Sequence, residues 1–110
     1  FLFSNTNEIN YDCFTARLLE KFGFDMFEEC FDKAYFSHLI HLRKPDPEGF
    51  RLIINEQNIV PAHTLFIDDI EKNLDGAKAV GINGLHLATG SIVDLFDDEC
   101  QIRQKIFCHI

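Results

Sequence analysis

Asp68 and Asp69 stand side by side at the end of the apolar run Thr64-Leu65-Phe66-Ile67. Two like charges closing a buried strand repel each other and call for compensation. The simplest candidate is a divalent cation such as Mg²⁺, which takes oxygen ligands from one or two carboxylates plus substrate phosphate. Two further polar signals precede the pair. Ser4-Asn5-Thr6 follows the apolar residues Phe1-Leu2-Phe3, and Lys44 precedes Pro45-Asp46-Pro47. A hydroxyl, a cation and a carboxylate pair can together hold a metal-bound phosphate. Each signal also has a plainer reading. Paired acids are usually solvated turns, an isolated lysine is usually a surface residue, Ser4 to Asn7 reads equally as a helix-capping turn, and Asn73, taken singly, reads as an ordinary helix-surface residue.

The elements that must position these residues alternate. Phe1–Phe3 reads as a short buried strand. Tyr11, Phe14, Leu18, Leu19 and Phe22 recur at helical spacing, and Gly23 is a stop signal. Phe24–Cys30 reads as a turn with a short helical piece. Lys33–Ser37 is a second strand, followed by a connector that contains His38 and His41. Asp46 is a good N-cap and Pro47 a good first helical residue for a helix carrying Phe50, Ile53 and Ile54. Leu65–Ile67 is a third strand, and Ile70, Leu74, Ala77 and Val80 mark a helix ended by Gly81. Gly84–Leu87 is a fourth strand, with a further helix expected near Ile92–Phe96. Four strand–helix alternations predict a mostly parallel sheet with right-handed crossovers. In such a sheet the loops at the carboxyl ends of the strands share one edge, where ligands bind.

The chain has 110 residues, 46% of them hydrophobic, which suits one globular domain with a modest core. Twelve Phe and no Trp make that core Phe-rich. The formal net charge of −8 argues against binding to nucleic acid or anionic membrane, which needs a basic footprint. No apolar run approaches the ~20 residues of a membrane span. Cys13, Cys30, Cys100 and Cys108 form no Cys-x-x-Cys pair, so they are read as buried free thiols of a cytoplasmic protein rather than a zinc site, with a disulfide between two of them left open. The five histidines are scattered. His38 and His41 are read as polar loop residues and His86 as a satisfied, partly buried strand residue. Asp97-Asp98-Glu99 is a solvated acidic stretch, and no Gly-x-Ser-x-Gly surrounds Ser4.

Five segments together resemble the C-terminal core of a haloacid dehalogenase (HAD) superfamily hydrolase, near the phosphoglycolate phosphatase and β-phosphoglucomutase branch. They are Phe3-Ser4-Asn5-Thr6-Asn7, Phe36-Ser37, Arg43-Lys44-Pro45-Asp46-Pro47-Glu48-Gly49-Phe50, Phe66-Ile67-Asp68-Asp69-Ile70-Glu71-Lys72-Asn73 and Gly76-Ala77-Lys78-Ala79-Val80-Gly81. They span residues 1 to 87, and it is their order and spacing that make the signal specific. The resemblance implies a three-layer, Rossmann-like α/β core with a mostly parallel sheet. It implies that Ser4 donates to a phosphate oxygen, helped by the Asn5 backbone N–H, and that Lys44 neutralises the phosphoryl group. Asp69 would contact Mg²⁺, Asp68 would support it, and Asn73 would orient that shell from behind. The implied reaction is hydrolysis of a small phosphorylated metabolite.

Enzymes of this family also carry an Asp-x-Asp motif whose first Asp attacks phosphorus. No Asp-x-Asp occurs in this sequence. Residues 1–110 are therefore expected to be a partial core domain, without the nucleophile strand and cap, and inactive alone. The absent strand would lie between those headed by Ser4 and Asp68, and the open sheet edges would offer a route to homo-oligomer pairing. Two rivals stay open. One is a degenerate, non-catalytic HAD-like domain that binds phosphate or a protein. The other is a receiver-type domain, against which the order of lysine before acids argues. In this family specificity comes largely from the cap, and the Mg²⁺-type acidic pair favours phosphoryl chemistry, with mutase and dehalogenase activities as the alternatives to hydrolysis.

Overall fold

A computed structural model describes residues 1–101 of the chain. Cys108 and the rest of the C-terminal stretch lie outside the described residues. The chain falls into two compact units that meet in sequence at Lys44 and Pro45.

In the first unit, β1 (Leu2–Ser4) pairs in parallel with β2 (Ala34–Phe36), and the register sets Ser4 opposite Phe36. Between them run α1 (Glu8–Phe22) and the single turn α2 (Met26–Glu29). Asn7 caps α1 by accepting from the Asn10 N–H, and Gly23 ends it in the left-handed conformation at φ 76°, where the lack of a Cβ removes the steric penalty. Asp25 caps α2. The core of this unit is aromatic. The Phe36 ring lies 4.8 Å from Tyr11 and 5.0 Å from Phe27, both edge to face, the geometry such rings prefer. Phe3, Tyr35 and Phe36 are buried. The connector after β2 differs from the sequence expectation: Ser37–Ile40 form a helical turn, α3, closed by His41 at φ 59°.

The second unit begins with α4 (Pro47–Gln57), where Asp46 accepts from the Glu48 N–H and Pro47 occupies the first turn, as the sequence predicts. A 3₁₀ turn (Pro61–His63) leads into β3 (Leu65–Asp68), and α5 (Glu71–Ala79) returns the chain to β4 (Asn83–His86). β3 and β4 pair in parallel, with Asp68 opposite His86. Phe50, Ile53, Leu74, Ala77 and Ile82 are the buried apolar residues here, and Phe50 meets Phe66 edge to face at 4.9 Å. The helix expected near Ile92–Phe96 is a 3₁₀ turn, Ile92–Leu95, opened by a Ser91–Asp94 capping box.

Three further expectations change. Cys13, Cys30 and Cys100 are free thiols but exposed, because α1 buries none of its residues and the other two sit at a helix end and in a tight turn. His86 is satisfied but exposed. Asn73, whose position alone suggests a helix-surface residue, is buried. No helix among the described residues is long and apolar enough to cross a membrane.

Candidate active site

Ser4 ends β1, and the two residues after it tie three segments of the first unit together. The Asn5 side chain donates from Nδ2 to the Lys44 carbonyl at 3.0 Å and accepts at Oδ1 from the Lys44 N–H at 2.9 Å. This reciprocal pair spans 39 residues of sequence and fixes the Lys44 backbone beside the loop that follows Ser4. Thr6 is held in the same manner. Its N–H donates to Ser37 Oγ at 2.7 Å, and the Ser37 hydroxyl donates back to the Thr6 carbonyl at 3.1 Å. Thr6 Oγ1 also shares a 2.6 Å hydrogen bond with His38 Nδ1. The Lys44 ammonium lies 5.6 Å from the centroid of the Phe3 ring, within the range of a cation–π contact. Ser4 Oγ itself makes no hydrogen bond with a described residue.

A cavity of about 470 Å³ opens beside Ser4 and Asn5. Asn10, Cys13, Phe14 and Arg17 line it from one face of α1, and Arg43 lines it from the segment before Lys44.

In the second unit Asp68 closes β3 at 8% exposure. Its Oδ1 accepts from the Ile70 N–H at 2.8 Å, and its Oδ2 accepts from Asn73 Nδ2 at 3.2 Å. The carboxylate is thus aimed by the first turn of α5. Asp69 is exposed, and its carboxylate bonds to none of the described residues, while its carbonyl accepts from His86 Nε2 at 2.9 Å. That bond requires the proton on Nε2, since a carbonyl only accepts. The strand end offers a cation one oriented and one unengaged carboxylate, both oxygen donors. No group of three or more His, Cys, Asp or Glu side chains among the described residues could hold a metal by itself.

The structure therefore brings Ser4, Asn5 and Lys44 together in one unit, and Asp68, Asp69 and Asn73 in the other. Sequence reasoning gave no role to Ser37 and His38, which anchor Thr6, or to Arg17 and Arg43. Ser37 carried a legible signal: like Ser4 after Phe3, it is a small hydroxyl residue directly following a strand phenylalanine, Phe36.

With this geometry in hand, the family can be stated. The haloacid dehalogenase-like hydrolase family model matches residues 1–81, and the chain belongs to that family. It is 35% identical over 80 residues to a sesquiterpene phosphatase of Aspergillus oryzae, covering 73% of this chain and 38% of that protein. It is 30% identical over 91 residues to a D-ribitol-5-phosphate phosphatase of Bacteroides thetaiotaomicron, covering 83% of this chain and 44% of that one. The chain spans less than half the length of these relatives. Among solved structures it is similar to a HAD family enzyme from Bacteroides thetaiotaomicron, with a TM-score of 0.73 and 31% identity, covering 84% of this chain and 46% of that one. That enzyme has also been solved in complex with magnesium and inorganic phosphate. The α/β class with parallel strands expected from the sequence is the class found.

Proposed function

We propose that the protein carrying this chain is a Mg²⁺-dependent phosphatase of small phosphorylated metabolites. The observation that carries this reading is the reciprocal Asn5–Lys44 clasp, which ties the backbone of a lysine to the loop beginning at a strand-terminal serine. The Ser4 hydroxyl donates to a phosphate oxygen, and the Asn5 N–H donates to another. Lys44 neutralises the phosphoryl group, the kind of electrostatic stabilisation that usually dominates such catalysis. Asn5 positions Lys44 through its side chain.

Asp69 and Asp68 are the candidate holders of Mg²⁺. Their donors fit it, because it prefers oxygen ligands and is commonly bound through one or two carboxylates plus phosphate. When bound, the ion supplies charge stabilisation at the phosphoryl oxygens. The unengaged Asp69 carboxylate is the direct ligand in this reading. Asp68, aimed by the Ile70 N–H and Asn73, supports it.

The nucleophile would be the first carboxylate of an Asp-x-Asp motif, which this sequence lacks, and attack would give an aspartyl-phosphate. That lack also favours a second reading, a degenerate domain that binds phosphate or a partner without turnover. Exposed free thiols support a reducing, cytoplasmic setting. Among the described residues β1 and β3 each pair on one side only, which supports oligomer contacts through their edges.

Hydrolysis of a generic phosphomonoester, with Mg²⁺ and with chelator, tests the reading. The full-length protein should turn over only with Mg²⁺, and the 110-residue chain not at all. Lys44→Ala and Asp69→Ala should each lower kcat/KM by about 10²–10³-fold, while stability changes by no more than about 0.5 kcal/mol for the exposed Asp69 and about 1 kcal/mol for Lys44, which loses its contact with the Phe3 ring. Turnover by the isolated chain overturns the assignment of the nucleophile. Equal loss of stability and activity in both variants assigns the residues a structural role.

A further inference from the structure

Arg17 and Arg43 come from different segments, α1 and the stretch before Lys44, yet both line the cavity beside Ser4. The chain carries 18 acidic residues against 10 Lys and Arg, so two arginines at one cavity run against its overall charge. Neither guanidinium has a hydrogen bond, ion pair or ring contact with any described residue, and both are exposed. The contrast within the chain is Arg51, which is paired with Glu48 one helical turn away. No Asp or Glu among the described residues lines the cavity. Asn10 and the ring of Phe14 share its α1 wall with Arg17, at i, i+4 and i+7 spacing. A guanidinium offers five donors in a planar fork that matches a carboxylate or a phosphoryl group.

We propose that Arg17 and Arg43 form a subsite for a second oxyanion, so that the preferred substrates are phosphomonoesters bearing a further carboxylate or phosphoryl group. The inference rests on the phosphatase reading for its first anion, which Ser4 holds. Arg17 lies ten residues beyond the Asn7 cap, about 15 Å along the helix at 1.5 Å per residue. Its own side chain covers part of that distance, so the two anionic groups should be separated by a spacer of several carbons rather than lie on adjacent atoms. The cavity volume of about 470 Å³ falls within the range of small-molecule sites.

The test is equilibrium binding of non-hydrolysable probes to the full-length protein by calorimetry. Hexylphosphonate carries one anionic group. Phosphonohexanoate adds a carboxylate at the far end, and hexamethylene bisphosphonate adds a second phosphoryl group. At least one two-anion probe should bind about tenfold or more tightly than hexylphosphonate, and the better of the two identifies the second group. The advantage should vanish in the Arg17→Gln/Arg43→Gln double variant and return in part in the Arg17→Lys/Arg43→Lys variant. Both arginines are exposed and have no partner among the described residues, so these variants should fold like the parent. Equal affinity for all three probes, or an advantage that survives the double Gln variant, overturns the proposal. Binding does not depend on turnover. Failure to hydrolyse phosphomonoesters would therefore sink the phosphatase reading separately, with the subsite decided by the probe ratios.

Discussion

Asn73 separates a carboxylate held in place from one merely present. Its amide donates to Asp68 Oδ2 at 3.2 Å, and both residues are buried, at 5% and 8% exposure. Removing that donor takes one hydrogen bond from a buried carboxylate, at a cost of about 1–3 kcal/mol. Asn73→Ala should lower the unfolding midpoint of the full-length protein by several degrees, measured by calorimetry. An unchanged midpoint would mean that Asn73 does not hold the Asp68 carboxylate in place. Of this cluster, the acid pair was legible, because an apolar strand ending in two carboxylates is unusual on its face. The Asn73 contact was not, because its direction depends on how α5 leaves the strand. The Asn5 side-chain clasp was hidden for a related reason. Its partner lies 39 residues away, and no local pattern reports a contact at that range.

At the scale of elements, α5 approaches the start of the second unit so closely that Gly76 is the only residue type its position accommodates. A Cβ there would collide with the Pro45 carbonyl oxygen and lie 2.8 Å from the Phe50 ring. Helix propensity alone favours alanine over glycine by about 1 kcal/mol. Packing reverses the sign, since overfilling a tight contact costs about 1–3 kcal/mol or more. Gly76→Ala should therefore destabilise the protein in chemical denaturation, and stabilisation would show that the approach relaxes freely. Periodicity located α1, α4 and α5 because each carries several apolar residues at helical spacing. It missed α3, which at four residues shows no period and is closed by His41 in the left-handed region. Composition likewise gave a Phe-rich core, and Phe3, Phe36 and Phe50 are buried. It did not reveal that α1 would bury none of its residues, so Cys13 came out exposed.

At the scale of the molecule, the described residues include four short strands in two parallel pairs, β1 with β2 and β3 with β4. Pairs of three or four residues are marginal by themselves and depend on the helices packed beside them. One pair ends in Ser4, and the other ends in Asp68 followed by Asp69. The proposed chemistry requires both ends to serve a single phosphoryl group in the full-length protein. The direct measurement is a crystal structure of that protein grown with Mg²⁺ and inorganic phosphate. The expected result has Ser4 Oγ and Lys44 Nζ within hydrogen-bond distance of phosphate oxygens, and an Asp69 carboxylate oxygen ~2.0–2.1 Å from the ion. Phosphate bound elsewhere, or Ser4, Lys44 and Asp69 facing different regions of solvent, would contradict the account.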